Sequence, residues 1–144
     1  MNERGLHATC LDASAVESLE PYDAVVLGSA VYMKRWRREA RRFLRQHTDT
    51  LAARPFWVFS SGPVGDPAND NPGWSEPHGT ITAAERLGVR DHHVFGGSLP
   101  ADAHGLARSM AQSAPPEYRD RRHWDEIRER AQGIAVALSV PAEP

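Results

Sequence analysis

Apolar residues fall into short unbroken runs separated by stretches of helical period. Asp23 opens the run AVVLGSAVY at 24–32, and FWVFS follows at 56–60. Neither alternates polar with apolar positions, so each predicts a strand covered on both faces, as in a parallel sheet. HVFGGSL at 93–99 predicts another strand, and HATCLD at 7–12 a shorter one. Between the runs, Trp36, Ala40, Phe43, Leu44 and Leu51 recur at three-to-four spacing with arginines opposite. That predicts a helix from about 34 to 47, with Pro55 as its far limit. Ser14 and Glu17 have capping-box spacing and predict a brief helix to Leu19, stopped by Pro21. Thr82 and Glu85 repeat the spacing, and Gly88 is placed to close that helix.

The polar intervals complete the pattern. Gly62 to Gly79 holds four of the eleven prolines with Asn69, Asp70 and Asn71, which predicts a long loop. A helix is expected around Ala103–Ala111, with a break at Pro115 and Pro116. The last helix, about Asp125 to Leu138, aligns Trp124, Ile127, Ala131, Ile134 and Leu138 on one stripe, and PAEP reads as a frayed tail. Strands alternating with helices imply an α/β fold with a parallel sheet. No repeat or linker divides it, so 1–144 reads as a single domain with a disordered tail from about 139.

Such sheets bind ligands outside the carboxyl ends of their strands. The candidate residues are Ser29, Ala30, Val31, Tyr32 and Met33 after one strand, and Ser60, Ser61, Gly62, Pro63, Val64 and Gly65 after the next. Gly96, Gly97 and Ser98 follow the last strand. Glycine and serine let a planar ligand approach the main chain, whose amides and carbonyls can bond a ring edge. Tyr32 or Trp36 could stack on that ring. The competing reading is that the small residues make turns and the aromatics fill the core.

Composition removes other classes. The hydrophobic fraction of 40% and charged fraction of 25% are those of a globular chain. Cys10 is the single cysteine, which excludes an internal disulfide and a multi-cysteine zinc site. No apolar run approaches the length of about 20 residues that a membrane helix needs, and no signal peptide is evident. A soluble cytoplasmic protein is the expectation. His92 and His93 should point to opposite faces of their strand, a poor geometry for a shared metal. No phosphate-loop motif occurs, and Ser29 lacks the second glycine of a hydrolase elbow. The net charge of −2 conceals an asymmetry: Lys34–Arg45 holds seven basic residues and one acid, on an otherwise acidic body. That block is either a solvated helix face or a dock for an acidic redox partner or an anionic membrane surface, and nucleic acid is not expected.

Together, YDAVVLGSAVYMKRW at 22–36, RPFWVFSSGPVGD at 54–66, HHVFGG at 92–97 and HWDEIRERAQGIA at 123–135 resemble the flavodoxin-like family, in the branch of menaquinone-dependent protoporphyrinogen IX dehydrogenase and its actinobacterial relatives. The resemblance implies a three-layer sandwich of strand order 2-1-3-4-5 binding FMN, with Ser29–Met33 and Ser60–Gly65 flanking the isoalloxazine ring. The flavin would carry the electrons, from protoporphyrinogen IX to a quinone in the dehydrogenases. Two other readings stay open: an electron carrier without its own substrate, and a binding or vestigial domain that keeps only the fold.

The chain departs from the family pattern twice. No apolar strand with a Ser/Thr/Gly phosphate loop precedes residue 5. The first strand and helix are therefore expected to be missing, with the start lying downstream by about 30 residues, one β-loop-α unit. Their loss should expose two strand edges or force them to pair directly. Leu99–His123 is polar and rich in Ala, Ser and Pro, where quinone-linked members carry a more apolar, basic segment. Docking at the inner face of a membrane is thus expected only as a peripheral contact.

Overall fold

The computed structural model describes residues 5–71, 77–99 and 102–139, without the side chains of 106 and 107. Its sheet has the order β2-β1-β3-β4, formed by β1 (Val25–Tyr32), β2 (Arg35–Trp36), β3 (Phe56–Ser61) and β4 (His92–Phe95). β1, β3 and β4 are parallel and in sequence order, while β2 folds back antiparallel on the end of β1. Helices α1 (Arg38–Gln46), α2 (Thr48–Ala52), α3 (His78–Arg86), α4 (Gly105–Ser113) and α5 (Trp124–Ser139) alternate with the strands. The α/β class with a largely parallel sheet is as expected.

One face of the sheet carries the core. Val25, Leu27, Phe56 and Val58 pack with Trp36, Ala40, Phe43, Leu44, Leu51 and Ala84. Every apolar position expected on the first long helix is buried, including Leu51 with no exposed surface. Each fully buried Leu or Phe contributes about 1.5–3 kcal/mol relative to exposure. The element boundaries differ, however. Met33 and Lys34 turn the chain sharply, so Trp36 lies on β2 and α1 begins only at Arg38. Leu51 belongs to the separate α2.

On the second face, Trp57, Phe95, Ile134 and Ala135 are buried. β1 is not covered there: Val25 is 9% exposed and Val26 41%. The apolar run at 24–32 is thus two-sided in sequence but one-sided in packing, because an open cavity of about 310 Å³ separates Val26 from α5. Residues 7–12 form no strand and are all exposed. HATCLD offers no apolar alternation for a core-facing side, and the outer edge of β1 along Val25–Ala30 has no strand beside it among the described residues. The expected helix from Ser14 shrinks to a 3-10 turn at Ala13–Ala15, because Asp12 accepts the Ser14 backbone N–H and holds the chain in a local turn.

Later elements follow the pattern with shifted ends. α3 starts at His78, ahead of the expected Thr82 cap, and closes on Gly88 at φ +78°. Val89 N–H donates to Ala84 O and Gly88 N–H to Glu85 O, the paired bonds of a Schellman end. α5 buries Ile134 and half-buries Ile127 and Ala131, but Trp124 is 55% exposed. It stands at the first turn with the Arg122 guanidinium over its ring, so this end of the expected stripe faces solvent. Residues 72–76, within the predicted loop, and the tail PAEP lie outside the described residues.

Candidate functional site

The two candidate loops leave adjacent strands at the same edge. Parallel pairing sets Ser29 opposite Ser60 and Ala30 opposite Ser61. Ser29–Met33 and Ser60–Gly65 therefore emerge side by side at the carboxyl end of the sheet. Their local structures differ in what they offer a ligand.

In the first loop, Ser29 is 8% exposed. Its hydroxyl donates to Ala30 O at 2.8 Å and accepts from Arg37 N–H at 2.9 Å, which satisfies an amide at the start of α1. Its side chain is thus occupied by the fold. Ala30 and Val31 are half-buried, while Tyr32 is 41% and Met33 80% exposed. Met33 and Lys34 adopt φ of 47° and 63°, the pattern of a two-residue type I′ hairpin. Non-glycine residues pay roughly 1–2 kcal/mol each for such backbone. Pairing of Tyr32 with Arg35 and of Val31 with Trp36 holds them there.

The second loop is anchored more heavily. Ser60 is fully buried, accepting from Trp36 Nε1–H at 2.8 Å and lying 2.9 Å from His92 Nε2. Trp36 is 1% exposed, so of the two aromatics expected to stack on a ring only Tyr32 is accessible. Beyond Ser60, Gly62 N–H donates to Phe95 O, Gly97 N–H to Pro63 O and Gly65 N–H to Tyr118 O. Ser61, Gly62, Pro63, Val64 and Gly65 are all half-buried. Gly97 is there for close packing, since a Cβ would lie 3.0 Å from Val64 Cγ1, and one at Gly96 would lie 2.0 Å from Arg121 O. The Arg121 guanidinium grips Asp70 with both oxygens at 2.6 and 2.7 Å, tying the loop to the segment before α5. This bidentate contact holds the Asp70 carboxyl below its usual range and raises Arg121. Nearby, Arg122 lowers Asp120 to about 2 through hydrogen bonds to its carboxylate.

Two cavities flank the loops. The first, of about 310 Å³, is apolar and runs under α5, touching Ser61, Phe59, Phe95 and Gly96. The second, of about 570 Å³, lies where Lys34 and Arg35 meet Arg41 and Arg45 of α1 and the first turn of α3. The arginine block is visible in sequence, but its convergence with Pro77–Thr80 depends on the hairpin at Met33 and Lys34. The Asp70–Arg121 tether spans 51 positions and has no local signal. His92 and His93 do point to opposite faces, the former to Ser60 and the latter 2.8 Å from Glu126 on α5. Among the described residues, no three His, Cys, Asp or Glu side chains group as a metal site, and no helix is long and apolar enough to cross a membrane.

A family model described as a flavodoxin domain matches residues 2–110, about three-quarters of the chain. The chain belongs to the flavodoxin-domain family. No curated protein and no solved structure matches it. Flavodoxin domains typically bind flavin and take part in electron transfer, which agrees with candidate loops at the carboxyl edge of the sheet.

Proposed function

We propose that this flavodoxin domain binds FMN between Ser29–Met33 and Ser60–Gly65 and acts as an FMN-dependent oxidoreductase. The observation that carries the reading is the in-register pairing of β1 with β3, which sets both loops side by side at the sheet's carboxyl edge. The residues fit a flavin in a specific way. Ser29 and Ser60 spend their hydroxyls on Arg37, Ala30 and Trp36, so ring contacts fall to backbone groups of the loops and to the exposed Tyr32 ring. Bound FMN would supply the redox chemistry. The protein's part is to fix the loops and to limit water at the ring. The Arg121–Asp70 pair and the Gly62, Gly65 and Gly97 bonds perform the first task. Half-burial of residues 61–65 supports the second.

The finer reading is oxidation of protoporphyrinogen IX with transfer to a quinone, supported by the resemblance of the blocks at 22–36, 54–66 and 123–135. On this reading the protein is cytoplasmic and meets the membrane only at its surface. A small electron carrier without its own substrate is the second reading. It is favoured by the exposed cations Arg38, Arg42 and Arg45 on α1, a surface suited to an acidic redox partner. Purification followed by flavin extraction tests the common claim: FMN near one equivalent is expected, and absence of binding to added FMN would contradict it. Protoporphyrinogen-dependent quinone reduction by the loaded protein then selects the enzyme, whereas FMN binding without that turnover selects the carrier.

A further inference from the structure

The cavity of about 570 Å³ beside the hairpin is lined by four cations, Lys34, Arg35, Arg41 and Arg45. No acidic residue lines it among the described residues, and none of the four forms an ion pair there. Among the described residues, the one hydrogen bond of these guanidiniums is Arg41 Nε–H to Trp36 O at 3.1 Å, which orients that side chain. Elsewhere, Arg37, Arg54, Arg121, Arg122, Arg128 and Arg130 each meet a carboxylate, whereas other arginines unpaired among the described residues, such as Arg38 and Arg42, lie outside the concavity. Four cations around one concavity repel one another, and an anion in the cavity would relieve that repulsion.

The opposite wall has matching polarity. Pro77, Gly79 and Thr80 of the α3 N-terminus line the same space. Pro77 provides no side-chain cap, and the first turn holds no acidic residue. The backbone N–H groups of Thr80 and Ile81 turn back to Pro77 O, whereas those of His78 and Gly79 have no acceptor among the described residues. A Cβ at Gly79 would meet nothing within 4 Å, so the backbone is open to a ligand. The cluster of four cations around one open concavity carries the assignment, and the helix end adds donors to it.

We propose that this cavity is a binding site for a phosphate monoester. Three guanidinium forks suit the tetrahedral, dianionic oxygens of phosphate better than a single carboxylate. A concave site of this size suits a small phosphorylated molecule rather than the flat face of an acidic protein. None of its lining residues belongs to 29–33 or 60–65, so phosphate binding here can be tested apart from the flavin reading.

The test is titration of the whole chain with inorganic phosphate by calorimetry at constant ionic strength. Saturable binding is expected, weakened about tenfold or more in the Arg35→Gln/Arg45→Gln variant, because charge-assisted bonds are lost. Both side chains are exposed, and circular dichroism with thermal melting checks that the variant folds. Arg38→Gln/Arg42→Gln removes the same charge from the helix outside the cavity and should leave affinity within about twofold. Absence of saturable binding, or equal weakening in both variants, overturns the proposal. Two further arms identify the source of the phosphate. Loss of preference for FMN over riboflavin in Arg35→Gln/Arg45→Gln assigns it to the cofactor. Undiminished phosphate binding by FMN-saturated protein assigns it to a separate ligand. Phosphate binding by a chain that takes up no flavin supports this site while contradicting the flavin reading.

Discussion

Ser60 shows how one residue can satisfy the fold at the edge of a candidate site. Its hydroxyl is the acceptor for the buried Trp36 indole N–H and contacts His92 across the β3–β4 pair. Indole nitrogen can only donate, so removing its acceptor leaves a buried donor unpaired. Ser60→Ala should therefore lower unfolding free energy by about 1–3 kcal/mol, measured by denaturant titration. Because the hydroxyl is fully buried, flavin affinity should change far less than stability. A normal midpoint in Ser60→Ala would contradict the Trp36 assignment. Sequence pattern identified this position as lying at the strand's end but could not reveal which way its side chain turned. That direction follows from the sheet's period of two and from Trp36, whose place on β2 required the hairpin to be known.

At the scale of elements, β1 separates pattern from packing. Its neighbours Val25 and Val26 are indistinguishable in sequence, yet the first faces the core and the second an open cavity. Val25→Thr buries a hydroxyl and should cost about 1–3 kcal/mol, whereas Val26→Thr should stay within about 0.5 kcal/mol. Equal losses in thermal or denaturant unfolding would mean that the second face is covered in solution. Strand identity at 24–32 and 56–60 was legible because β-branched and aromatic runs admit few alternatives. The failure at His7–Asp12 has a physical reason: a strand needs a neighbour and a buried side, and HATCLD supplies no apolar face. α1 starts later than the helical spacing predicts because Lys34, an ordinary helix former, is held at positive φ by the pairing of Tyr32 with Arg35.

Across the whole molecule, distant segments meet to hold the second candidate loop. Asp70 and Arg121 are the clearest case, and the guanidinium keeps the carboxyl below its usual range. A lowered folded-state pKa contributes stability above the unfolded value of about 3.9 and loses it as pH falls through the folded value. Amide hydrogen exchange in residues 62–71, corrected for intrinsic rates, should therefore show protection falling below about pH 4. Asp70→Asn should remove that dependence, and an unchanged pH profile in the variant would show that the tether is unimportant. The contact was illegible in sequence because nothing local relates positions 70 and 121. By contrast, the location of the candidate loops follows from strand order, which the alternation of elements already implied.

A flavin bound between the ends of β1 and β3 would perturb the backbone amides of both loops, which amide chemical shifts during FMN titration report. Saturable changes centred on residues 29–33 and 60–65 are expected, with those in 125–139 of α5 near baseline. Saturation with the largest changes elsewhere, or no binding of FMN, would contradict that placement.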